Sequence, residues 1–384
     1  MGDFAFARIR LLVAREAIVL ILFMAISAMT LNVFMQTRSL EEGSPAFGLS
    51  AMLNGTAERP YVYRQLLPTV ANFAAGLVPE KDQDAFVKYH LDKYHLKQQY
   101  FGRAKHANPG PEFWTPDYAI KFHVVYLIDF LSLLGLAYLL RILVGTVATG
   151  PGNSILAVAA PIMFLLLLPL SFLHGNFFYD FPELFFLSGL LLTALKGRYY
   201  WWILLLPLAV SNKESNILVP LLYLPVLYAG FRNTNGRGRA GLALSLAIAG
   251  ALSAALYLYI KSGFVGNPGQ TTIWQLQENL AFWTTLQNYF LWHDFYAPLI
   301  PFPRGLNLLF VAVLLLLVSI SWRSLIRPIQ WLFLTSIAIS VPLWLFYCHT
   351  DEMRNLSFTF IPLFLLCTAS LQKIFPTSAN LPQR

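Results

Sequence analysis

The chain has 384 residues, of which 57% are hydrophobic and only 12% are charged, and its formal net charge is +8. Soluble domains carry charge on roughly a quarter of their residues, so this composition excludes an ordinary soluble globular protein. The positive charge does not indicate nucleic-acid binding, because the basic residues stand in short clusters beside apolar blocks, as topology signals do. Cys348 and Cys367 are too few for a disulfide framework or a zinc site, and we expect both to be buried.

The apolar residues lie in solid blocks rather than along one face of a helix. Blocks of about 17 to 25 residues match the roughly 30 Å hydrocarbon core of a bilayer. The sequence therefore predicts an all-α integral membrane protein with about ten transmembrane helices. The predicted segments are residues 17–34, 121–143, 154–173, 177–195, 199–211, 215–231, 240–260, 305–321, 329–348 and 356–372.

Two of these segments leave alternatives open. The first follows Arg8, Arg10 and Arg15, as the core of a signal peptide would. Its apolar run exceeds the usual 7–15 residues of such a core, so we predict an uncleaved first helix. The fifth segment is short and contains Pro207, and it could be tilted, broken or only partly spanning.

Basic residues indicate which helix ends face the cytoplasm, because short cytoplasmic loops carry an excess of Lys and Arg. If the amino terminus lies inside, Lys213 and Arg354 are the only basic residues on the short outer turns. Both termini are therefore predicted to lie inside. A single polytopic domain would span residues 1–384, with long extracytoplasmic loops at 35–118 and 261–304.

The long outer loops are predicted to carry surface helices. In the first loop, residues 65–78 are apolar enough to lie along the membrane surface, and residues 82–99 form a polar helical pattern. In the second loop, residues 273–291 mix aromatic and polar side chains. This mixture is typical of an interfacial amphipathic helix.

The predicted orientation sorts the acidic residues by side. Asp3 and Glu16 lie near the inner side, whereas Asp129 lies within the second helix. The other acidic residues and all seven histidines lie outside or at outer helix ends. Asp129 would lie about 12 Å into the membrane, so it must face protein or water. A hydrogen bond between helices is one interpretation of Asp129, and a path for protons or ions is the other.

Four outer carboxyl groups are candidate catalytic residues. Glu41 and Glu42 follow the first helix and could act as general bases or form a solvated acidic pair. Asp180 and Glu183 are three residues apart, so on a helix they share a face. They could form an acid/base or cation-binding site. Asp180 could instead cap a helix, since Pro182 suits a first helical turn.

Polar residues of the first outer loop are candidate substrate-binding residues. Arg59, Tyr63 and Arg64 lie just before the surface-lying stretch. They could hold a diphosphate headgroup at the bilayer surface. Alternatively, they only anchor the loop, with the long side chains reaching to the interface.

Two short outer turns add further candidates for substrate binding. Lys213 could contact a phosphate, and Glu214 could pair with Lys213 or act as a base, although a solvated turn is the alternative. Asp351 and Arg354 are the candidates in the second turn. Arg354 suits bidentate binding of a phosphate or carboxylate, and an internal salt bridge between Arg354 and Asp351 is the alternative. No metal site is predicted, because Trp292-His293-Asp294 lacks further ligands. A divalent cation stays possible as a cofactor.

Three motifs carry a family resemblance. Tyr61-Val-Tyr63-Arg64-Gln-Leu-Leu-Pro68, Tyr179-Asp180-Phe-Pro182-Glu183 and Asn212-Lys213-Glu214 resemble motifs of bacterial membrane proteins near the GT-C superfamily of glycosyltransferases. The layout, with an inside amino terminus and a long first outer loop, is also similar to the GT-C fold.

The resemblance implies a GT-C-like glycosyltransferase of the bacterial inner membrane. Its donor would be a polyprenyl-phosphate-linked sugar, and its acceptor would be a glycan or lipid outside the cytoplasm. An acidic residue of the first loop would be the base. GT-C enzymes often place an Asp just after the first helix, whereas this chain has Glu41 and Glu42 several residues further on.

Two other classes of protein stay open. A transporter or lipid flippase would place ionisable residues through the membrane midplane, usually within repeated halves. Asp129 is the clear deep candidate, and the sequence shows no internal repeat. A non-catalytic membrane component of a polysaccharide pathway is the third class.

Overall fold

A computed structural model describes most of the chain. It covers residues 2–37, 44–94, 115–147, 153–171, 177–270, 273–292, 301–303, 308–350 and 352–375. Glu41, Glu42 and Asp351 lie outside the described residues, so the roles suggested for them stay predictions.

The described residues are mainly helical. The helices are α1 Gly2–Thr37, α2 Leu49–Leu53, α3 Leu66–Gly76, α4 Glu80–Tyr94, α5 Pro116–Val147, α6 Asn153–Ser171, α7 Asp180–Leu195, α8 Trp202–Asn212, α9 Val219–Leu222, α10 Leu224–Asn233, α11 Gly236–Gly263, α12 Leu276–Thr284, α13 Leu308–Ser321, α14 Arg327–Tyr347 and α15 Ser357–Ile374. Short 3-10 helices lie at Tyr61–Tyr63, Tyr199–Trp201, Glu214–Leu218, Leu286–Tyr289, Trp322–Ser324 and Met353–Leu356.

Several of these helices are long and apolar enough to cross a membrane. Among the described residues, five qualify by length and composition: Arg10–Met35, Pro116–Val147, Gly236–Gly263, Arg327–Tyr347 and Met353–Ile374. The pair Glu214–Leu222 and Leu224–Asn233, bent by 44°, makes a sixth if it is one span. The prediction of a helical multi-pass membrane protein is confirmed. Each of the ten predicted segments contains helical residues, but the other apolar helices are shorter than these spans.

Helix α5 carries apolar side chains both on the face that packs against other helices and on its exposed face. Leu133, Leu136 and Leu140 recur at three- and four-residue spacing and are fully buried, where α5 packs against α6 and α7. Leu127 and Leu131 on the other side are more than half exposed. A helix that is apolar all round in this way suits a bilayer, where its outer face meets lipid chains.

The second outer loop differs from its prediction. Only Leu276–Thr284 is α-helical, because Thr285 takes an extended conformation (φ −94°, ψ 113°). Strand β1, Phe290–Trp292, then pairs antiparallel with β2, Pro301–Pro303. A continuous helix over 273–291 is therefore wrong. The β-branched threonine pair and the aromatic residues after it favour extended structure over helix.

The two outer loops are joined by hydrogen bonds to backbone carbonyl groups. The Arg59 N–H donates to the Pro268 carbonyl at 2.8 Å, and Arg59 Nη2 donates to the Gly269 carbonyl at 3.0 Å. Asn267 Nδ2 donates to the carbonyls of Gly55 and Ala57 at 2.8 and 2.9 Å. Gly269 has φ +94°, and a side chain there would come within 2.7 Å of the Arg59 carbonyl oxygen. Glycine thus permits the close approach of the two loops.

An ion pair joins α1 and α5 at the end that was predicted to face inward. Arg141 Nη1 lies 2.6 Å from Glu16 Oε2, and Arg141 Nη2 lies 2.7 Å from Glu16 Oε1. Both side chains come from the predicted cytoplasmic group. The two cysteines, expected to be buried, are only partly so.

Replacing Gly230 with alanine is expected to destabilise the protein by about 1–3 kcal/mol. A methyl group on Gly230 in α10 would overlap the hydroxyl of the buried Tyr199. The measurement is the apparent melting temperature in detergent. Adding Tyr199→Phe should recover part of the loss, and Gly250→Ala in α11, which meets no atom within 4 Å, is the control. Equal melting temperatures for Gly230→Ala and wild type would contradict this packing.

Candidate functional site

Two carboxyl groups are placed by the start of α7. The helix begins at Asp180, and Tyr179 before it is the N-cap residue, so Asp180 is not the cap. Asp180 Oδ2 instead accepts a hydrogen bond from the Phe177 N–H at 3.3 Å. Asp180 and Glu183 lie in one turn and are 2% and 1% exposed. Carboxylates buried this deeply require charged or hydrogen-bonded partners.

The polar turn after α8 supplies the first of those partners. Lys213 takes an extended conformation (φ −155°, ψ 122°) between α8 and the 3-10 helix that begins at Glu214. Lys213 Nζ lies 2.7 Å from Glu183 Oε2 and 3.8 Å from Asp180 Oδ1. Besides a phosphate-binding role for Lys213 and a base role for Glu214, the sequence left open a Lys213–Glu214 pair and a solvated turn. The described structure instead pairs Lys213 with α7 and buries it.

Arg64 binds Glu214 through both arms of its guanidinium group. Arg64 Nε donates to Glu214 Oε2 at 3.1 Å, and Nη2 donates to Oε1 at 3.0 Å. Its remaining Nη1 donates to the hydroxyl of Tyr179, whose ring centroid lies 4.2 Å from the guanidinium carbon. Burial opposes the charge on Arg64, but the Glu214 carboxylate outweighs burial and raises the pKa of Arg64.

Arg354 connects the last outer turn to the same place. Its Nη1 lies 3.2 Å from the Tyr179 hydroxyl and 3.4 Å from Asp180 Oδ1, and its Nη2 lies 3.2 Å from Glu352 Oε1. The guanidinium carbon is 4.1 Å from the ring centroid of Phe177. Burial tends to raise the pKa of Glu352, but the charge and the hydrogen bond of Arg354, together with the backbone and charge of His349, outweigh burial and lower it.

These contacts form one charged cluster from four separate parts of the chain. We define the charged cluster as Arg64, Tyr179, Asp180, Glu183, Lys213, Glu214, Glu352 and Arg354. It unites six residues that the sequence named as candidates. Tyr179 and Glu352 were missed as site residues, although Tyr179 stands next to Asp180 in its motif and Glu352 stands two residues before Arg354.

Two other candidates are placed elsewhere. Arg59 binds the backbone of the second outer loop, as described above. Tyr63 is buried, with its ring centroid 6.4 Å from that of Tyr257. Both residues position the segment that carries Arg64 and make no polar contact with the charged cluster in the described structure.

The charged cluster holds three cations and four carboxylates, so its net charge is −1 when every group is ionised. Its exposure is uneven. The side chains of Glu214 and Glu352 are 22% and 18% exposed, whereas all three cations are at least nine-tenths buried. Arg354 Nε, a buried polar atom of the cluster, has no hydrogen-bond partner among the described residues. The site can therefore make further polar contacts.

Asp129 was the deep carboxyl group that the sequence placed within a membrane helix. Asp129 is 1% exposed, and its Oδ1 has no hydrogen-bond partner within the described part of the chain. The interhelical hydrogen bond expected of Asp129 is therefore not found at this atom. Across the described ranges, no group of three or more His, Cys, Asp or Glu side chains is arranged to hold a metal ion.

Comparisons with protein families, with curated proteins and with solved structures find no match to this chain. The interpretation of the charged cluster therefore depends on its own chemistry. Buried guanidinium and ammonium groups suit phosphate or carboxylate ligands. Carboxylates with some exposure suit proton transfer or contact with hydroxyl groups.

Proposed function

We propose that this protein is a membrane glycosyltransferase that moves a sugar from a polyprenyl-phosphate donor to a glycan or lipid acceptor outside the cytoplasm. The convergence of Arg64, Lys213 and Arg354 with four carboxylates carries the proposal. Fixed cations stabilise the phosphate that leaves as the sugar is transferred. A carboxylate can take the proton of the acceptor hydroxyl as it attacks.

The proposal includes a GT-C-like arrangement of ten spans in the bacterial inner membrane with both termini inside. Two groupings support the orientation. Arg141 and Glu16, both assigned to the inside by charge, contact each other. All members of the charged cluster belong to parts of the chain assigned to outer loops, outer turns or outer helix ends. Glu41, Glu42 and Glu214 stay candidates for the base, and Glu352 joins them. Glu214 and Glu352 are partly exposed carboxylates.

Sugar transfer by the purified protein tests the proposal. We expect transfer from polyprenyl-phosphate-sugar donors in lipid nanodiscs, and we expect Arg64→Ala to reduce its rate by about 10²-fold or more. Arg141→Ala is the matched control, because Arg141 also forms a bidentate pair with a glutamate but lies away from the charged cluster. Transfer that persists in Arg64→Ala would remove the charged cluster as the site.

A transporter is the second candidate function, and Asp129 is the observation that favours it. A buried carboxyl group without a partner at Oδ1 is costly inside a membrane and is typical of proton or ion paths. Proton-coupled uptake that is lost in Asp129→Asn, together with no sugar transfer by the wild-type protein, would favour transport over the glycosyltransferase.

A further inference from the structure

The Arg64–Glu214 pair has the geometry with which arginine holds a phosphate. Two parallel N–H···O contacts, at 3.1 and 3.0 Å, join the guanidinium fork to the two carboxylate oxygens. Phosphate oxygens fit the same fork in the same bidentate way. Glu214 therefore occupies the position on Arg64 that a phosphate ligand of the proposed function would need.

Charge makes simple addition of a phosphate unfavourable. The charged cluster already holds one more carboxyl group than cations, so an added anion would meet no excess of positive charge. An anion of this kind binds well only if it replaces one of the carboxylates. Loss of a buried carboxylate would leave a buried cation partly unpaired, which is costly until the ligand arrives.

Glu214 is the carboxylate that can leave most easily. Its side chain is 22% exposed, whereas Asp180 and Glu183 are almost fully buried. Glu352 is 18% exposed, but its two oxygens accept hydrogen bonds from both Arg354 and Asn355. In the described structure, the only ion-pair partner of Glu214 is Arg64.

The backbone at Glu214 also suits a change of side-chain position. Glu214 is the first residue of a 3-10 helix and follows the extended Lys213, at the joint between two helical segments. A side chain at such a joint can turn outward without breaking helical hydrogen bonds. The exposed fraction shows that water already reaches part of it.

We propose that Glu214 is an internal substitute for phosphate: it neutralises Arg64 in the empty site, and the phosphate headgroup of a lipid-linked ligand displaces it. This inference rests on the proposed function, because it concerns the same charged cluster. It predicts that Glu214 competes with the ligand, so that removing its charge strengthens phosphate binding instead of weakening it.

Binding of decyl phosphate to the full-length protein in detergent, measured by titration calorimetry, tests this competition. Both Glu214→Gln and Glu214→Ala are expected to lower the Kd by about tenfold or more. The additional change Arg64→Ala should abolish binding. Glu16→Gln, which removes the carboxylate of the other bidentate pair, should leave the Kd unchanged. Thermal unfolding of each variant verifies that it is folded.

Three results would overturn the inference: an unchanged or higher Kd in both folded Glu214 variants, equal tightening in Glu16→Gln, or inorganic phosphate binding as tightly as decyl phosphate. The last result would mean that the ligand is free phosphate and not a lipid headgroup. Tighter decyl phosphate binding without any sugar transfer would support this inference while removing the proposed function. Sugar transfer with no tightening would do the reverse.

Discussion

Replacing Lys213 with methionine is expected to lower the free energy of unfolding by about 3–5 kcal/mol. The Lys213 ammonium lies 2.7 Å from Glu183 Oε2 and 3.8 Å from Asp180 Oδ1, and both carboxyl groups are buried. Methionine has a similar shape but no charge. Its introduction would leave Glu183 as a buried carboxylate without a cation, which costs far more than an exposed ion pair contributes.

The fall in stability is measured from unfolding of the detergent-solubilised protein. Two further variants test whether it comes from an unpaired buried carboxylate. Adding Glu183→Gln to Lys213→Met should recover much of the loss, because the unpaired Glu183 carboxylate is then replaced by a neutral amide. Lys121→Met removes a lysine that pairs with the half-exposed Asp117, and it should cost less than about 1 kcal/mol. Equal effects of Lys213→Met and Lys121→Met would mean that the charged cluster is hydrated and not buried.

Replacing Arg354 with lysine is expected to lower the rate of the proposed sugar transfer by about 10²-fold. The positive charge is kept, but a guanidinium group serves several partners at once. Nη1 contacts Tyr179 and Asp180, Nη2 contacts Glu352, and the flat group lies over the Phe177 ring. A single ammonium group cannot reproduce this fork and stacking together.

Initial rates in nanodiscs, compared at equal amounts of folded protein, measure this loss. Arg141→Lys is the matched control, since Arg141 makes a bidentate contact at the opposite, predicted inner end. Its transfer rate should equal that of the wild type. Wild-type rates in Arg354→Lys would show that charge alone is needed at this position and that the fork has no role in the reaction.

The positions of the long helices could be predicted from the sequence, because each depends on the composition of one continuous stretch of residues. Residues 240–260 and 329–348 were predicted as spans, and the helices run over Gly236–Gly263 and Arg327–Tyr347. A long apolar run is enough to identify such a helix. Strand β1 could not be predicted in this way, because it depends on pairing with β2 about ten positions further along the chain.

The site could be predicted as a set of residue types but not as a set of pairs. Lys213 and Glu214 are neighbours in sequence and looked like partners, yet they bind α7 and Arg64 respectively. Their separation results from one extended residue between two helical segments. Similarly, Arg354 binds Asp180, which is 174 positions away. Such contacts follow from how helices pack, and a single sequence does not encode that packing in a readable local pattern.

The junction of the two outer loops has a practical consequence for labelling the protein. The carbonyls of Pro268 and Gly269 accept hydrogen bonds from Arg59, and Arg59 stands only five positions before Arg64. A tag or fluorophore inserted at 267–269 would therefore pull on the charged cluster and alter the property being measured. The exposed start of α11 at Gly236, where a side chain would meet no atom within 4 Å, is the better position for a topology reporter.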